Sequence, residues 1–205
     1  MPISRIAAAA LLALAACRAD APPEQAPPAA PPPAAAPAGV VDSIHSPEEA
    51  LRRFREGVPE VASLAGGARS RDELVRRFIR AVERRDTAEL RSIVVTRAEF
   101  AYLLYPESRF SRPPTRMEPA LLWFQMQMNS EKGISRVVRR HGGADTGFAG
   151  YACEAEPRVE GATRLWEECS IRRSDAERGE HSIRWFGSIV ERGGHYKLMS
   201  YANAL

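Results

Sequence analysis

The chain has 205 residues, 44% hydrophobic and 27% charged, which fits one ordinary domain with tails or at most two small domains. Its 29 Lys+Arg against 26 Asp+Glu leave a net charge of +3, too even for a dedicated nucleic-acid binder, whose phosphate contacts need a concentrated basic face. No apolar run reaches the roughly 18 residues of a bilayer-spanning helix, and three cysteines are too few for a disulfide-dense scaffold. Lys132 and Lys197 are the only lysines; the other basic residues are Arg, scattered through every segment beside abundant Ala and Pro. That pattern reads as compositional bias rather than as an anion site.

Residues 1–16 read as an export signal. Arg5 gives the positive start, and Ile6 to Ala16 is an Ala/Leu stretch too short to cross a membrane but suited to a signal-peptide core. It ends in Leu14-Ala15-Ala16-Cys17, which resembles the bacterial lipobox. The resemblance implies that Cys17 is diacylated and becomes the first residue of the mature protein, so that acyl chains hold the amino end in a membrane leaflet. Arg18, rather than Asp, follows the cysteine. By resemblance to Gram-negative lipoproteins, this implies the outer membrane, with the protein facing the periplasm. Residues 17–42 form the tether, and eight of the nineteen residues in 21–39 are proline. Such a segment is short of hydrogen-bond donors and buries nothing; as polyproline II at about 3.1 Å per residue it reaches roughly 60 Å.

Residues 43–205 form the candidate domain, and its first half is helical. Ser46-Pro47-Glu48-Glu49 opens one helix and Ser70-Arg71-Asp72-Glu73 a second, whose Leu74, Val75, Phe78, Ile79 and Val82 share a face. Asp86-Thr87-Ala88-Glu89 opens a short third helix, and Thr96-Arg97-Ala98-Glu99 a fourth carrying Phe100, Leu103 and Leu104. Pro106 and Pro113-Pro114 enforce a loop. A long helix follows from about Glu118 to Arg140, with Gly133 as a point of division and His141-Gly142-Gly143 as its end.

The last third is strand-like. Four strands are expected, at about 147–158, 163–173, 181–191 and 195–203, joined by short loops into an antiparallel meander. Arg192-Gly193-Gly194-His195 suits a two-residue type I′ hairpin. Helices followed by a curved four-stranded sheet make an α+β domain. The run Glu73 to Leu90, in which a long helix ends just before Asp86 and a short helix follows, looks like the opening of nuclear-transport-factor-2-like domains. The Trp185 to Tyr201 hairpin is similar too. The resemblance implies a cone-like fold: a bent sheet wrapped around helices, often with a pocket.

Cys153 and Cys169 fall opposite each other if the loop is Glu160-Gly161-Ala162, so a cross-strand disulfide is geometrically reasonable and suits an oxidising compartment. The same register sets Glu154 against Glu168 and Arg158 against Arg164, which a bulge would relieve. A reactive or metal-binding thiol pair is the alternative.

The chain has no Gly-x-Ser-x-Gly, no phosphate loop and no dinucleotide fingerprint, and nothing in it calls for a cofactor. His45, His141, His181 and His195 show no metal-ligand spacing. Enzymes of the cone fold work through a pocket carboxylate and a Tyr or second acid, and an apolar cavity makes such an acid useful. Tyr102, Tyr105, Asp145, Glu154 and Glu168 are available, and no motif selects among them. Tyr102, Trp123, Phe124, Trp166 and Trp185 are candidate lining for an apolar pocket, with Met126 and Tyr151 of the same character; an ordinary hydrophobic core is the alternative. The expected function is a lipid-anchored, non-enzymatic envelope domain that binds a small apolar ligand or an envelope protein. The competing expectation is an exported isomerase- or hydrolase-like enzyme. Cys17→Ala is expected to move the protein from the membrane to the soluble fraction, which fractionation checks; unchanged attachment would refute the acyl anchor.

Overall fold

Side-chain oxygens start the first four helices at the positions read from the sequence. The computed structural model describes residues 45–203; the signal 1–16, Cys17 and the tether 17–42 lie outside them. Ser46 Oγ accepts from Glu49 N and opens α1 (Pro47–Arg55). Ser70 Oγ accepts from Glu73 N and opens α2 (Arg71–Arg84), which buries Leu74, Val75, Phe78, Ile79 and Val82. Asp86 opens α3 (Thr87–Ser92). Thr96 and Glu99 cap each other reciprocally at α4 (Arg97–Glu99). These caps satisfy backbone donors that have no partner within the helix.

The fourth helix departs from expectation after one turn. It passes into a π-helical turn over Phe100–Leu104 and then 3-10 turns at 105–107 and 109–111. Tyr105 N donates to Phe100 O, so continuing the π pattern would need a donor at position 106 for Ala101 O. Pro106 has no N–H. The Arg55 guanidinium donates to Ala101 O instead, at 3.1 and 3.0 Å.

α5 (Pro119–His141) has the expected span but is not divided at Gly133. Gly133 is buried where the chain near the carboxyl end crosses the helix, and a Cβ there would stand 1.8 Å from Tyr201 O. The glycine permits close approach rather than a break.

The meander has the expected strand order, but its first three strands are each cut in two. The segments are β1 (Phe148–Ala152), β2 (Arg158–Glu160), β3 (Thr163–Trp166), β4 (Ser170–Asp175), β5 (Gly179–Ile183), β6 (Ile189–Arg192) and β7 (His195–Leu198). They form two antiparallel sheets, β1-β4-β5 and β2-β3-β6-β7, in place of the single four-stranded sheet expected. Gly193 and Gly194 close the β6–β7 hairpin, both with positive φ, as a type I′ turn requires.

The disulfide lies on the break between the sheets. Cys153 and Cys169 are bonded, with Cα atoms 4.0 Å apart. Ala152 faces Ser170 on the expected register, but beyond the break Arg158 faces Leu165 rather than Arg164. The extra residue on the first strand acts as a bulge and separates the two arginines. Glu154 N donates to Glu167 O, and Glu168 takes a positive φ of 48° with its carboxylate turned to Arg184.

The outer edge of β7 is covered by loops. Ala68 exchanges two backbone hydrogen bonds with Tyr196, and Val95 N and Ile93 O bond Leu198. Such covering prevents edge-to-edge association. Residues 45–203 belong to one compact unit. It holds two apolar clusters, one around Phe78, Trp185, Phe186 and Tyr201, the other around Phe54, Phe100 and Leu104.

A buried ion pair stands beside the second cluster. Lys197 is 1% exposed and Glu99 2%. Lys197 Nζ donates to both Glu99 oxygens at 3.0 and 2.9 Å and to Ala65 O at 2.7 Å. Burial pulls the Lys197 ammonium below its usual pKa, and Glu99 acts against that pull. Lys197→Met would leave the carboxylate buried without a cation, and it is expected to cost about 3–5 kcal/mol in urea unfolding. Adding Glu99→Gln to Lys197→Met should recover part of that loss, since the uncompensated charge is gone.

Candidate functional site

A groove of about 800 Å³ lies between α5 and the α2–α3 corner. Its floor is apolar: Leu90, Val94, Ile134, Val138 and the ring of Tyr201. Ile134 and Val138 lie one turn apart on α5; Leu90 is on α3, and Val94, just past its end, bridges to Leu198. Tyr201 is fixed at the back. Its hydroxyl donates to Leu90 O at 2.6 Å and its N–H donates to Ser130 Oγ at 2.9 Å. Burial raises the pKa of the phenol, so it remains a neutral donor.

Arg85, Arg91 and Arg139 also line the groove, with Glu131 as the carboxylate in the lining. Arg85 holds the left-handed position that ends α2, at φ 53°. That turn sets its side chain against Gly142 and Gly143, just past the end of α5.

The aromatic residues nominated from the sequence do not gather around one cavity. Tyr102 is half-buried, donates to Val58 O at 3.2 Å and lies under Arg55. Trp123 packs on Phe100. Phe124 is 61% exposed on α5. Trp166 is buried under Arg71 and beside Tyr196. Trp185 is fully buried against Phe78 and His141. Tyr105 donates to Met117 O at 2.7 Å. Asp145 is exposed and caps a turn by accepting from Gly147 N.

The arrangement offers binding more readily than acid–base chemistry. Among the described residues the two buried carboxylates are committed to cations: Glu99 to Lys197, and Glu191 to Arg164 at 2.9 Å. Tyr151 meets the exposed Asp72 at a shallow polar pocket, and burial with that contact pushes its phenol up to about 12, away from a working acid. A cavity of about 180 Å³ lies over the four-stranded sheet beside Phe100, Tyr105 and Met126. Glu160 and Glu167 border it and both face Arg158, at 3.3 and 3.1 Å. Among the described residues no three His, Cys, Asp or Glu stand close enough to hold a metal.

Sequence spacing gave no sign of the cluster that forms around Arg173 and Asp175. His141, at the end of α5, accepts or shares a hydrogen bond with Arg173 Nη1 at 3.2 Å and stacks on Trp185 at 4.7 Å. His181 stands 3.6 Å from Asp175, which also faces Arg173 at 3.7 Å. The cluster lies between the helix terminus and the three-stranded sheet, so only tertiary pairing assembles it. Burial, then Arg173, Arg140 and His181, lower the His141 pKa, with Asp175 opposing.

The folded protein thus binds fewer protons at His141 than the unfolded chain does. This contribution to stability is full above the ordinary histidine value of about 6.5 and is lost as pH falls from there through the lowered value of the folded state. Urea unfolding at about pH 7.5 and about pH 5.5 should show that loss, and His141→Gln should flatten it; an equal fall in the variant would refute the assignment.

No protein family, no curated protein and no solved structure matches this chain.

Proposed function

We propose that this is a lipid-anchored protein of the bacterial cell envelope whose α+β domain binds a small apolar ligand without transforming it. The observation that carries the reading is the groove of about 800 Å³, which lies within the roughly 300–1,000 Å³ of small-molecule sites. Its floor is apolar and its one carboxylate, Glu131, has neither Tyr nor His among its side-chain partners in the described residues. A site that only holds its ligand needs shape and dryness rather than a tuned acid.

The anchor is Cys17, acylated in the outer membrane and facing the periplasm, with residues 17–42 as the spacer. The Cys153–Cys169 disulfide supports an exported location, since such bonds persist in oxidising compartments. The nuclear-transport-factor-2-like cone is supported by α2 ending just before Asp86, by the short α3, and by a meander that breaks across its middle.

The test uses the uncharged dye N-phenyl-1-naphthylamine on the full-length chain carrying Cys17→Ala. Saturable one-to-one fluorescence is expected, and Ile134→Glu, which places a charge on the apolar floor, should weaken it at least about tenfold. Absence of saturable binding would overturn the reading.

A further inference from the structure

The charges around the groove are arranged in a way that an uncharged ligand would not use. Arg85 and Arg139 stand at the carboxyl end of α5, and Arg91, in the last turn of α3, lines the same groove. Among the described residues none of these three guanidiniums has an ion pair or a side-chain hydrogen bond, although elsewhere Arg52, Arg77, Arg164 and Arg192 all hold carboxylates. Glu131 lies two helical turns from Arg139, toward the other end. Three positive charges outweigh the partial negative charge of the helix terminus.

The apolar side runs the other way. The lining along α5 spans Gln127 to Arg139, about 18 Å of helix. The first half of α5 also exposes large apolar side chains: Met128 is 53% exposed, Phe124 61% and Leu121 48%. These three recur at helical spacing and form a stripe beside the groove. One end of the trough is therefore cationic and unpaired, and the other continues into exposed hydrocarbon.

We infer that the ligand is a single-chain anionic amphiphile, with its acyl chain along Leu90, Val94, Ile134 and Val138 and its carboxylate or phosphate between Arg85, Arg91 and Arg139. Planar guanidiniums suit either head group, because their paired N–H donors match two oxygens at once. This rests on the ligand-binding reading above and adds the charge and polarity of the ligand.

The experiment titrates the full-length Cys17→Ala protein with oleate, with oleyl alcohol (the same chain without charge) and with acetate (a carboxylate without the chain). Oleate should bind at least about tenfold more tightly than oleyl alcohol, and acetate should not bind measurably. Arg91→Gln and Arg139→Gln should each weaken oleate about tenfold, leave oleyl alcohol unchanged and keep the melting temperature. Equal binding of oleate and oleyl alcohol, or arginine variants that bind oleate normally, would overturn the anionic head group while leaving an apolar-ligand groove. If neither amphiphile binds and the dye also fails, the groove is not a ligand site at all. Sedimentation with phosphatidylglycerol vesicles that depends on Arg91 and Arg139, without oleate binding, would assign these charges to a bilayer surface and overturn the single-lipid inference.

Discussion

The contact between Glu99 and Lys197 fixes three otherwise separate parts of the domain. Glu99 belongs to the turn after Thr96, Lys197 to the last strand, and Ala65 to the loop before α2. Both backbone groups of Ala65 are used: its N–H donates to Glu99 and its C=O accepts from Lys197. Two buried charges are costly unless every oxygen and proton finds a partner. Here the carboxylate takes Lys197, Ala65 N, Thr96 N and Thr96 Oγ1. Gly67 lets the loop lie this close, because a Cβ there would stand 2.4 Å from Tyr196 O. The position also explains a lysine in a chain whose cations are almost all arginine. A compact ammonium can be surrounded by three oxygens where a planar guanidinium would need more room.

That lock determines where the groove can be. With β7 held against the loops at Ala68 and Val95, the chain after Leu198 turns across α5 at Gly133 and brings Tyr201 beneath Leu90. Tyr201 closes the back of the groove, so the concavity lies between α5 and the α2–α3 corner. The space over the four-stranded sheet is largely occupied by Phe100, Leu104, Tyr105 and Met126. The π-helical turn places Phe100 and Leu104 there, and the proline at 106 ends it.

The disulfide and the break in the meander belong together. Each long strand changes hydrogen-bonding sheet near the same level, and Cys153–Cys169 ties the first two strands at that level. The one-residue shift past the break removes the facing arginines that an unbroken register would impose. The uninterrupted reading of four strands passed over Pro157 and Gly187, single breakers that fall in the segments where the chain changes sheet.

Local chemistry was legible in the sequence, and pairing between distant segments was not. Ser46, Ser70, Asp86 and Thr96 announced the starts of four helices because a cap is a contact between neighbours in the chain. The glycine pair at 193–194 announced its hairpin for the same reason. The cysteine pairing was accessible because one short loop sets the register between adjacent strands. The partners of Lys197, the approach of Tyr201 to Gly133, the meeting of His141 with Arg173, and the three arginines around one groove all join residues far apart in sequence. No periodicity encodes such neighbours; they follow only once helices and sheets have packed. Composition and local pattern thus determined that the chain makes an α+β body with these elements in this order, while tertiary packing alone decided which surface was left hollow, which charges were left unpaired, and so what the domain can hold.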